Sequence, residues 1–263
     1  MSLITVIGSR AGANYSQNQY LINYGNNNVD YQNQRFSLPY DGYIKYITVK
    51  VQGVPNYELT YNLINNTTAT TYTDVVTIPA SQGWASATFS PTDIPFSTND
   101  LLSFQNHAAS TGQFSNTSVI FWIEIPSLSS NLISINGSLI GNTSTKPETT
   151  FMNGNEPYSF GDSNKFRSTF AAVTIDNAIA LPVACHLIAG TFCIHNSLAA
   201  GASLNVLKND VFSGAGFLLP SGDMAVSIYP NIAYAAGDIY NLRCVSNNGS
   251  LTSSTVTAIF SVD

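Results

Sequence analysis

The sequence is poor in charged side chains. Asp, Glu, Lys and Arg make up 9% of its 263 residues, against roughly 25% in an average soluble protein. The net charge is −6, and the basic side chains form no cluster along the chain. Because contacts to phosphates supply most of the affinity for nucleic acids, this composition argues against nucleic acid as a partner.

Long apolar runs are missing as well. No segment approaches the ~20 residues that a membrane-spanning helix needs. The apolar run Leu3–Ile7 is shorter than the core of a signal peptide and follows no basic leader. The sequence therefore predicts neither a membrane span nor a secretion signal.

Cysteine is scarce, and Cys185, Cys193 and Cys244 all lie in the second half of the chain. Their odd number argues against a disulfide framework, so we expect assembly in a reducing compartment. Cys185 and Cys193, with His186 and His195, could also form a zinc site. Structural zinc sites usually take closely spaced ligand pairs, whereas buried cysteines commonly act as small apolar side chains. We therefore expect no metal here.

The sequence repeats a phrase. "IPFSTNDLLSF" (Ile94–Phe104) and "IAYAAGDIYNL" (Ile232–Leu242) share an isoleucine, an aromatic residue two positions later, and an aspartate followed by apolar residues. The two phrases are offset by 138 residues. A period of this length indicates duplication of a whole domain, because solenoid repeats are far shorter.

Other segments support the same duplication. "SLITVIGS" (Ser2–Ser9) resembles "NLISINGS" (Asn131–Ser138), and "SVIFWIEI" (Ser118–Ile125) resembles "TVTAIFSVD" (Thr255–Asp263). The offsets are 129 at the start and 137 at the end, which places extra residues in loops of the second copy. We therefore predict two domains, over residues 1–128 and 129–263. Two weaker inner matches align Leu59 with Leu204, and Leu38-Pro39 with Leu181-Pro182.

The periodicity within each copy is that of β-strands. Apolar residues alternate in three segments, which predicts strands with one buried and one solvated face: Ile47, Val49 and Val51; Val119, Phe121, Ile123 and Ile125; and Met224, Val226 and Ile228. The terminal strand carries the same alternation at Val256, Ala258, Phe260 and Val262. Asn136-Gly137 is typical of a tight hairpin turn. Many short strands separated by turns predict an all-β fold of two tandem antiparallel β-sandwiches, or jelly rolls.

The aspartate of the repeated phrase has a structural interpretation. Asn99 and Gly237 precede Asp100 and Asp238, and both residue types tolerate the positive φ of a tight turn. The carboxylates can then accept hydrogen bonds from turn amides. Calcium binding is the alternative, but calcium requires several oxygen ligands together, and no second carboxylate recurs at a fixed spacing.

Catalytic patterns are weak. His107 follows a predicted strand in a polar loop, where we expect a solvated side chain, and no serine stands in a nucleophile-elbow motif. Paired carboxylates for glycoside hydrolysis must flank a groove, but the acids fall mostly at turns: Asp41, Asp74, Asp93 and Asp223. We therefore predict that the protein is not an enzyme and has no catalytic, cofactor or metal residues.

An aromatic segment remains between residues 15 and 31. It carries four tyrosines among Asn and Gln: Tyr15, Tyr20, Tyr24 and Tyr31. Tyrosine combines an apolar ring with a polar tip and is enriched at protein interfaces. The segment is therefore predicted to make subunit contacts, with carbohydrate binding as the alternative.

Taken together, these motifs resemble a known group of modules. The turn before Asp238, the strand and turn of "GASLNVLKND" (Gly201–Asp210) and the alternating terminal strand are similar to jelly rolls of the tumour-necrosis-factor and complement-head type. Tandem jelly rolls in a charge-poor, Asn- and Thr-rich chain also resemble capsid and vertex proteins of tailless icosahedral double-stranded DNA viruses. The resemblance implies self-association, most often as trimers, within a larger shell or spike.

The leading hypothesis is therefore a structural assembly protein of a virion, serving as capsid, minor capsid, vertex or spike component. Its partners would be copies of itself, in a homo-oligomer that is most often a trimer in the resembled families, and other virion proteins. Assembly would take place in the host cytoplasm. The alternative is a receptor- or glycan-binding module at the tip of a fibre or adhesin.

Overall fold

The structure is a computed structural model that describes residues 2–10, 35–107, 117–129, 131–142, 152–153, 179–194, 202–247 and 252–262. These residues form strands, turns and bends, with no helix among them, which confirms the predicted all-β class. The described part of the chain accordingly offers no helix capable of crossing a membrane. The chain divides into two compact units, with the main boundary after Ser129. The boundary predicted between residues 128 and 129 lies in the connection between the units' strands.

Unit 1 has eight described strands, which pair antiparallel: β1 Ser2–Arg10, β2 Gly42–Val51, β3 Leu59–Asn65, β4 Thr70–Ile78, β5 Trp84–Thr88, β6 Pro95–Phe96, β7 Leu102–Asn106 and β8 Thr117–Ile125. One sheet has the order β1-β8-β2-β5, with β6 also paired to β2, and the other has the order β4-β3-β7. Phe36 extends the second sheet through a bridge to Leu102. Two such sheets in this winding order form a jelly roll.

Unit 2 has ten described strands: β9 Leu132–Asn142, β10 Met152–Asn153, β11 Ile179–Ala180, β12 Cys185–Ile194, β13 Ala202–Lys208, β14 Val211–Leu219, β15 Ala225–Ile228, β16 Ile232–Tyr234, β17 Ile239–Asn247 and β18 Thr252–Val262. One sheet has the order β10-β9-β18-β12-β15, with β16 also paired to β12, and the other has the order β11-β17-β13-β14. Apart from β10 and β11, each strand of unit 2 has the same position in the sheet order as a strand of unit 1. β11 corresponds to Phe36, which bridges to Leu102 in unit 1. Unit 2 is therefore also a jelly roll.

The correspondence extends to irregularities of the backbone. The ladder between β2 and β8 shifts register between Ile44 and Tyr46, and that between β12 and β18 shifts between Leu187 and Ala189. Ile44 pairs with Ile123, whereas Leu187 pairs with Phe260. Both units therefore carry a β-bulge at the same point of the same strand pair. The duplication itself concerns the origin of the chain and stays a prediction.

Aromatic side chains join the two sheets of unit 1. The ring of Phe121 on β8 lies 5.2 Å from the rings of Phe36 and Phe104, which belong to the opposite sheet. The Phe104 ring stacks on Tyr61 at 5.3 Å. All four rings are buried, so each sheet hides one apolar face against the other, as alternation along the strands requires.

Unit 2 has a separate core built in the same way. Phe260 on β18 packs its ring against Tyr240 at 5.2 Å and Tyr234 at 5.8 Å. Leucine, valine and phenylalanine side chains from both sheets complete this cluster. The residues predicted to face the core are buried in both terminal strands, except that Val262 is half-buried at the strand end.

Two local predictions were wrong. Asn136-Gly137 makes no hairpin: both residues lie inside β9 and pair with Thr257 and Val256 of β18. The long ladder to β18 holds this segment extended, and the Thr257 hydroxyl donates to Asn136 Oδ1 at 3.2 Å. Tertiary pairing therefore overrides the local turn preference of Asn-Gly.

The second error concerns β18, for which one solvated face was expected. Thr255, Thr257 and Ile259 alternate with the core residues and yet are also buried. On β12, Thr191 is buried in the same way, and its hydroxyl lies 2.9 Å from that of Ser227. The central strands of unit 2 are therefore buried on both faces. On the second face, the hydroxyl groups of Thr191 and Ser227 form a hydrogen bond with each other.

Candidate functional site

The repeated aspartate of unit 1 closes a turn, as predicted. Asp100 is buried, and its Oδ2 atom accepts hydrogen bonds from the Ser97 amide at 2.8 Å and from Asn65 Nδ2 at 2.7 Å. Asn99, just before it, has a φ of 65°. The turn thus depends on a residue that tolerates positive φ, and the carboxylate ties it to the neighbouring β3 strand.

Unit 2 repeats this arrangement with more exposed partners. Asp238 accepts hydrogen bonds from the Ala235 amide and from Asn209 Nδ2, each at 2.7 Å, and Lys208 Nζ lies 2.9 Å from its Oδ2 atom. Gly237 precedes it with a φ of 86°. The hydrogen bonds from Asn209, Lys208 and the Ala235 amide lower the pKa of Asp238 to about 2. Each unit therefore has an Asn–Asp clamp, which joins this turn to the end of a neighbouring strand.

The lowered pKa predicts acid sensitivity in unit 2. Because the folded-state value lies below the ordinary value of 3.8, the ionised clamp stabilises the folded state above pH 3.8. This contribution is lost as the pH falls towards about 2. We expect the melting temperature of the wild type to fall more steeply over this interval than that of Asp238→Asn. Asp93→Asn, in a turn held by the Ser90 amide, is the control, and parallel curves for wild type and Asp238→Asn would contradict the prediction.

The remaining turn acids do not converge on a groove. Asp41 accepts hydrogen bonds from the Thr98 amide and hydroxyl at 2.7 and 2.9 Å. Asp93 accepts one from the Ser90 amide at 2.6 Å, and Asp223 donates its own amide to the Pro220 carbonyl. Asp41 is thereby tied to the turn that contains Thr98, whereas Asp93 and Asp223 form hydrogen bonds within their own turns. Among the described residues, moreover, no three His, Cys, Asp or Glu side chains gather to hold a metal ion.

His107 lies at the end of β7, as predicted for a solvated histidine, with its side chain 55% exposed. Its Nδ1 atom is 3.7 Å from Asp74 Oδ1. The nearby Thr60 hydroxyl donates to the His107 carbonyl at 2.5 Å and so is not directed at the ring. Among the residues that the structure describes, this His–Asp pair therefore has no nucleophile in contact with it.

The cysteines and histidines weighed as zinc ligands, and rejected in that role from their spacing, do not gather at one point: Cys185, His186 and Cys193 are spread along β12. Cys185 and Cys193 are both buried, and they lie eight residues apart on one strand, roughly 26 Å at the rise of an extended chain. They cannot bind one ion together. Cys185 belongs to the unit 2 core, which fits the expectation of a small apolar side chain, and His195 lies outside the described residues.

Sequence reasoning missed a buried ion pair in unit 1. Lys45 Nζ lies 2.5 Å from Glu124 Oε2, and Glu124 is almost fully buried. Burial alone would raise the pKa of Glu124, but hydrogen bonds from Lys45 and Tyr43 outweigh it and lower the pKa. A lysine inside the mostly apolar strand β2 and the one acid of the apolar strand β8 were the available signal. In unit 2, Ile188 occupies the matching bulge position, so the fold itself does not need the pair.

Apolar side chains are exposed on both units. In unit 1, the outer face of the sheet β1-β8-β2-β5 carries Leu3, Trp84 and Trp122. In unit 2, the outermost strand β14 carries Val211, Phe212 and Leu218. The four tyrosines predicted for subunit or carbohydrate contact, Tyr15, Tyr20, Tyr24 and Tyr31, lie outside the described residues.

No protein-family model matches the chain, and no curated protein matches it in sequence. Several solved structures are weakly similar to it. A structure of Broad Bean Stain Virus is 12% identical, with 99% of this chain and 88% of that chain covered and a TM-score of 0.28. A triple jelly-roll protein from the turret assembly of an archaeal virus is 11% identical, with 94% and 56% covered and a TM-score of 0.23. The ANX2 ectodomain from Arabidopsis thaliana is 9% identical, with 98% and 97% covered and a TM-score of 0.25. Similarities this low say nothing about a shared activity.

Proposed function

We propose that this chain is a structural assembly protein that arose by duplication of one jelly roll and associates with copies of itself through the exposed flanks of its units. The virion, as capsid, minor capsid, vertex or spike, is the setting that the sequence resemblance implies. The observation that carries the proposal is the pair of units with one strand order and one bulge position. Repeating one rigid module is a way to build a shell, and it requires no reaction centre.

The distribution of polar chemistry supports the same proposal. In the described residues, Asp41, Asp93, Asp100 and Asp238 bind turn amides, and His107 contacts no nucleophile. Meanwhile large apolar side chains remain exposed on each unit. Contiguous exposed apolar surface in a folded protein commonly marks an interaction site.

Size-exclusion chromatography with light scattering tests the proposal. We expect a molar mass that is an integral multiple of 28.2 kDa and that does not dissociate at micromolar concentration. Because only 9% of the residues are charged, we expect this mass to change little when salt is added. A protein that stays monomeric at the highest soluble concentration would overturn the proposed function.

A further inference from the structure

We propose that β14 is a self-association edge, where a second copy of this chain adds its own β14 antiparallel about a two-fold axis near Ala215. The inference rests on the proposed function and names one of its contacts. β14 is the outermost strand of the sheet β11-β17-β13-β14. One of its two backbone edges therefore faces away from the sheet and offers N–H and C=O groups for pairing.

Exposed apolar side chains mark this edge. Val211 is 68% exposed, Phe212 51% and Leu218 71%. The sequence "VFSGAGFLL" (Val211–Leu219) contains no charged residue and no proline. Proteins usually protect edge strands with charge, proline, a β-bulge or a covering segment. Among the described residues, β14 has an irregularity around Gly214, but no charge, proline or covering segment protects its exposed side chains.

The matching strand of unit 1 has the protection that β14 lacks. β4 is the outermost strand of the sheet β4-β3-β7, and its exposed residues are polar: Thr70, Thr71, Thr73 and Asp74. Both strands contain a wide irregularity, at which Asp74 has a φ of 54° and Gly214 a φ of 88°. Because the fold accepts Asp at this irregularity and threonines beside it, the apolar side chains of β14 are not a requirement of the jelly roll.

The order of residues in β14 favours a second copy of this chain as the partner that binds the β14 edge. A two-fold contact brings each residue opposite its symmetry-related position, so the surface must complement itself. An antiparallel pair centred on Ala215 places Phe212 opposite Leu218 and Val211 opposite Leu219. Gly214 then faces Gly216, and in this register Ser213 opposite Phe217 is the one polar–apolar pair.

Glycine also favours the approach of a second backbone. A side chain at Gly214 would point into open space, because no described atom beyond its two chain neighbours lies within 4 Å of it. Glycines within strands commonly mark a bulge or a place where another backbone comes close. In the proposed pair, main-chain hydrogen bonds supply affinity, and the contact between Phe212 and Leu218, made twice by symmetry, removes two of the exposed apolar side chains of the strand from water.

The test compares Leu218→Lys with Thr71→Lys by light scattering. Leu218→Lys introduces a charge twice in each symmetric contact, and we expect the molar mass to fall at least twofold. Thr71→Lys makes the equivalent change on the polar edge β4, and we expect the wild-type mass. Far-UV circular dichroism checks that both variants are folded.

The outcomes separate this proposal from the proposed function. A wild-type oligomer whose mass is unchanged by Leu218→Lys would overturn the β14 contact and leave assembly in place. A monomeric wild type would overturn assembly itself. If Leu218→Lys does not fold, Ala215→Cys replaces it: a residue at the axis should form a disulfide with its own copy under mild oxidation. Thr71→Cys should not, and absence of the Ala215→Cys cross-link in an oligomeric protein would overturn the contact.

Discussion

Replacing Phe121 by alanine is expected to lower the free energy of unfolding of unit 1 by about 3–5 kcal/mol, the usual loss for a large aromatic side chain removed from a core. The Phe121 ring is fully buried and lies 5.2 Å from both Phe36 and Phe104, so its removal leaves a cavity between the two sheets. Urea denaturation measures the loss. The chain's two tryptophans, Trp84 and Trp122, both belong to unit 1, so their fluorescence reports on this unit alone.

Trp122→Ala is the matched control, because this residue is next along β8 and points away from the core. Its side chain is 38% exposed, and we expect a loss of about 1 kcal/mol or less, since substitutions at the surface usually have small effects. Trp84 remains as the fluorescent probe in this variant. Equal losses for the two variants would show that β8 does not lie between one buried and one open face.

Replacing Asp100 by alanine is expected to destabilise unit 1 by about 2–3 kcal/mol. The change leaves the buried Asn65 Nδ2 group without its acceptor and removes the acceptor of the Ser97 amide. An unsatisfied buried donor costs about 1–3 kcal/mol, and loss of the bond to the turn amide adds to this. Tryptophan fluorescence during urea denaturation again measures the effect in unit 1.

Asp238→Ala gives the comparison in unit 2. Asn209 is exposed and Lys208 is 35% exposed, so water can satisfy the groups that lose their acceptor. We therefore expect a smaller loss of stability for Asp238→Ala. Because unit 2 contains no tryptophan, this loss is measured by hydrogen exchange of the amides of β13 and β17. A larger loss for Asp238→Ala than for Asp100→Ala would mean that burial does not set the strength of the clamps.

The sequence matches at the two ends of each copy agree with the strand pairing. Matched residues lie at equivalent points of the β1–β8 ladder in unit 1 and the β9–β18 ladder in unit 2. Leu3 was matched with Leu132 at an offset of 129, and the terminal strands at an offset of 137. Leu3 pairs with Glu124 on β8, whereas Leu132 pairs with Ser261 on β18, 137 residues further on. Terminal strands could be matched because their alternation is long and uninterrupted, so a slip of one residue would bury the wrong face.

The inner match of Leu59 with Leu204 does not fit the ladders. Asn65 pairs with Leu102 at the start of β7, and Lys208 pairs with Tyr240 at the start of β17, so the true offset in this strand is 143. The sequence match implies 145. Short apolar strands look alike when shifted by two residues, because the same side chains then return to the same face.

The surface was the least predictable part of the molecule. Exposed Val211, Phe212 and Leu218 have the composition of a buried strand, and only the position of β14 at the end of a sheet shows that they face water. The ion pair of Lys45 and Glu124 was equally hidden, because its partners are 79 residues apart. Both features depend on which strands become neighbours, which local periodicity does not determine.

Electron-microscopy imaging of the purified, concentrated protein tests most directly whether this chain builds an assembly. The proposed function predicts closed, symmetric particles built from repeated copies of the chain. A field of single molecules, with no repeated contact between copies at any concentration, would contradict it.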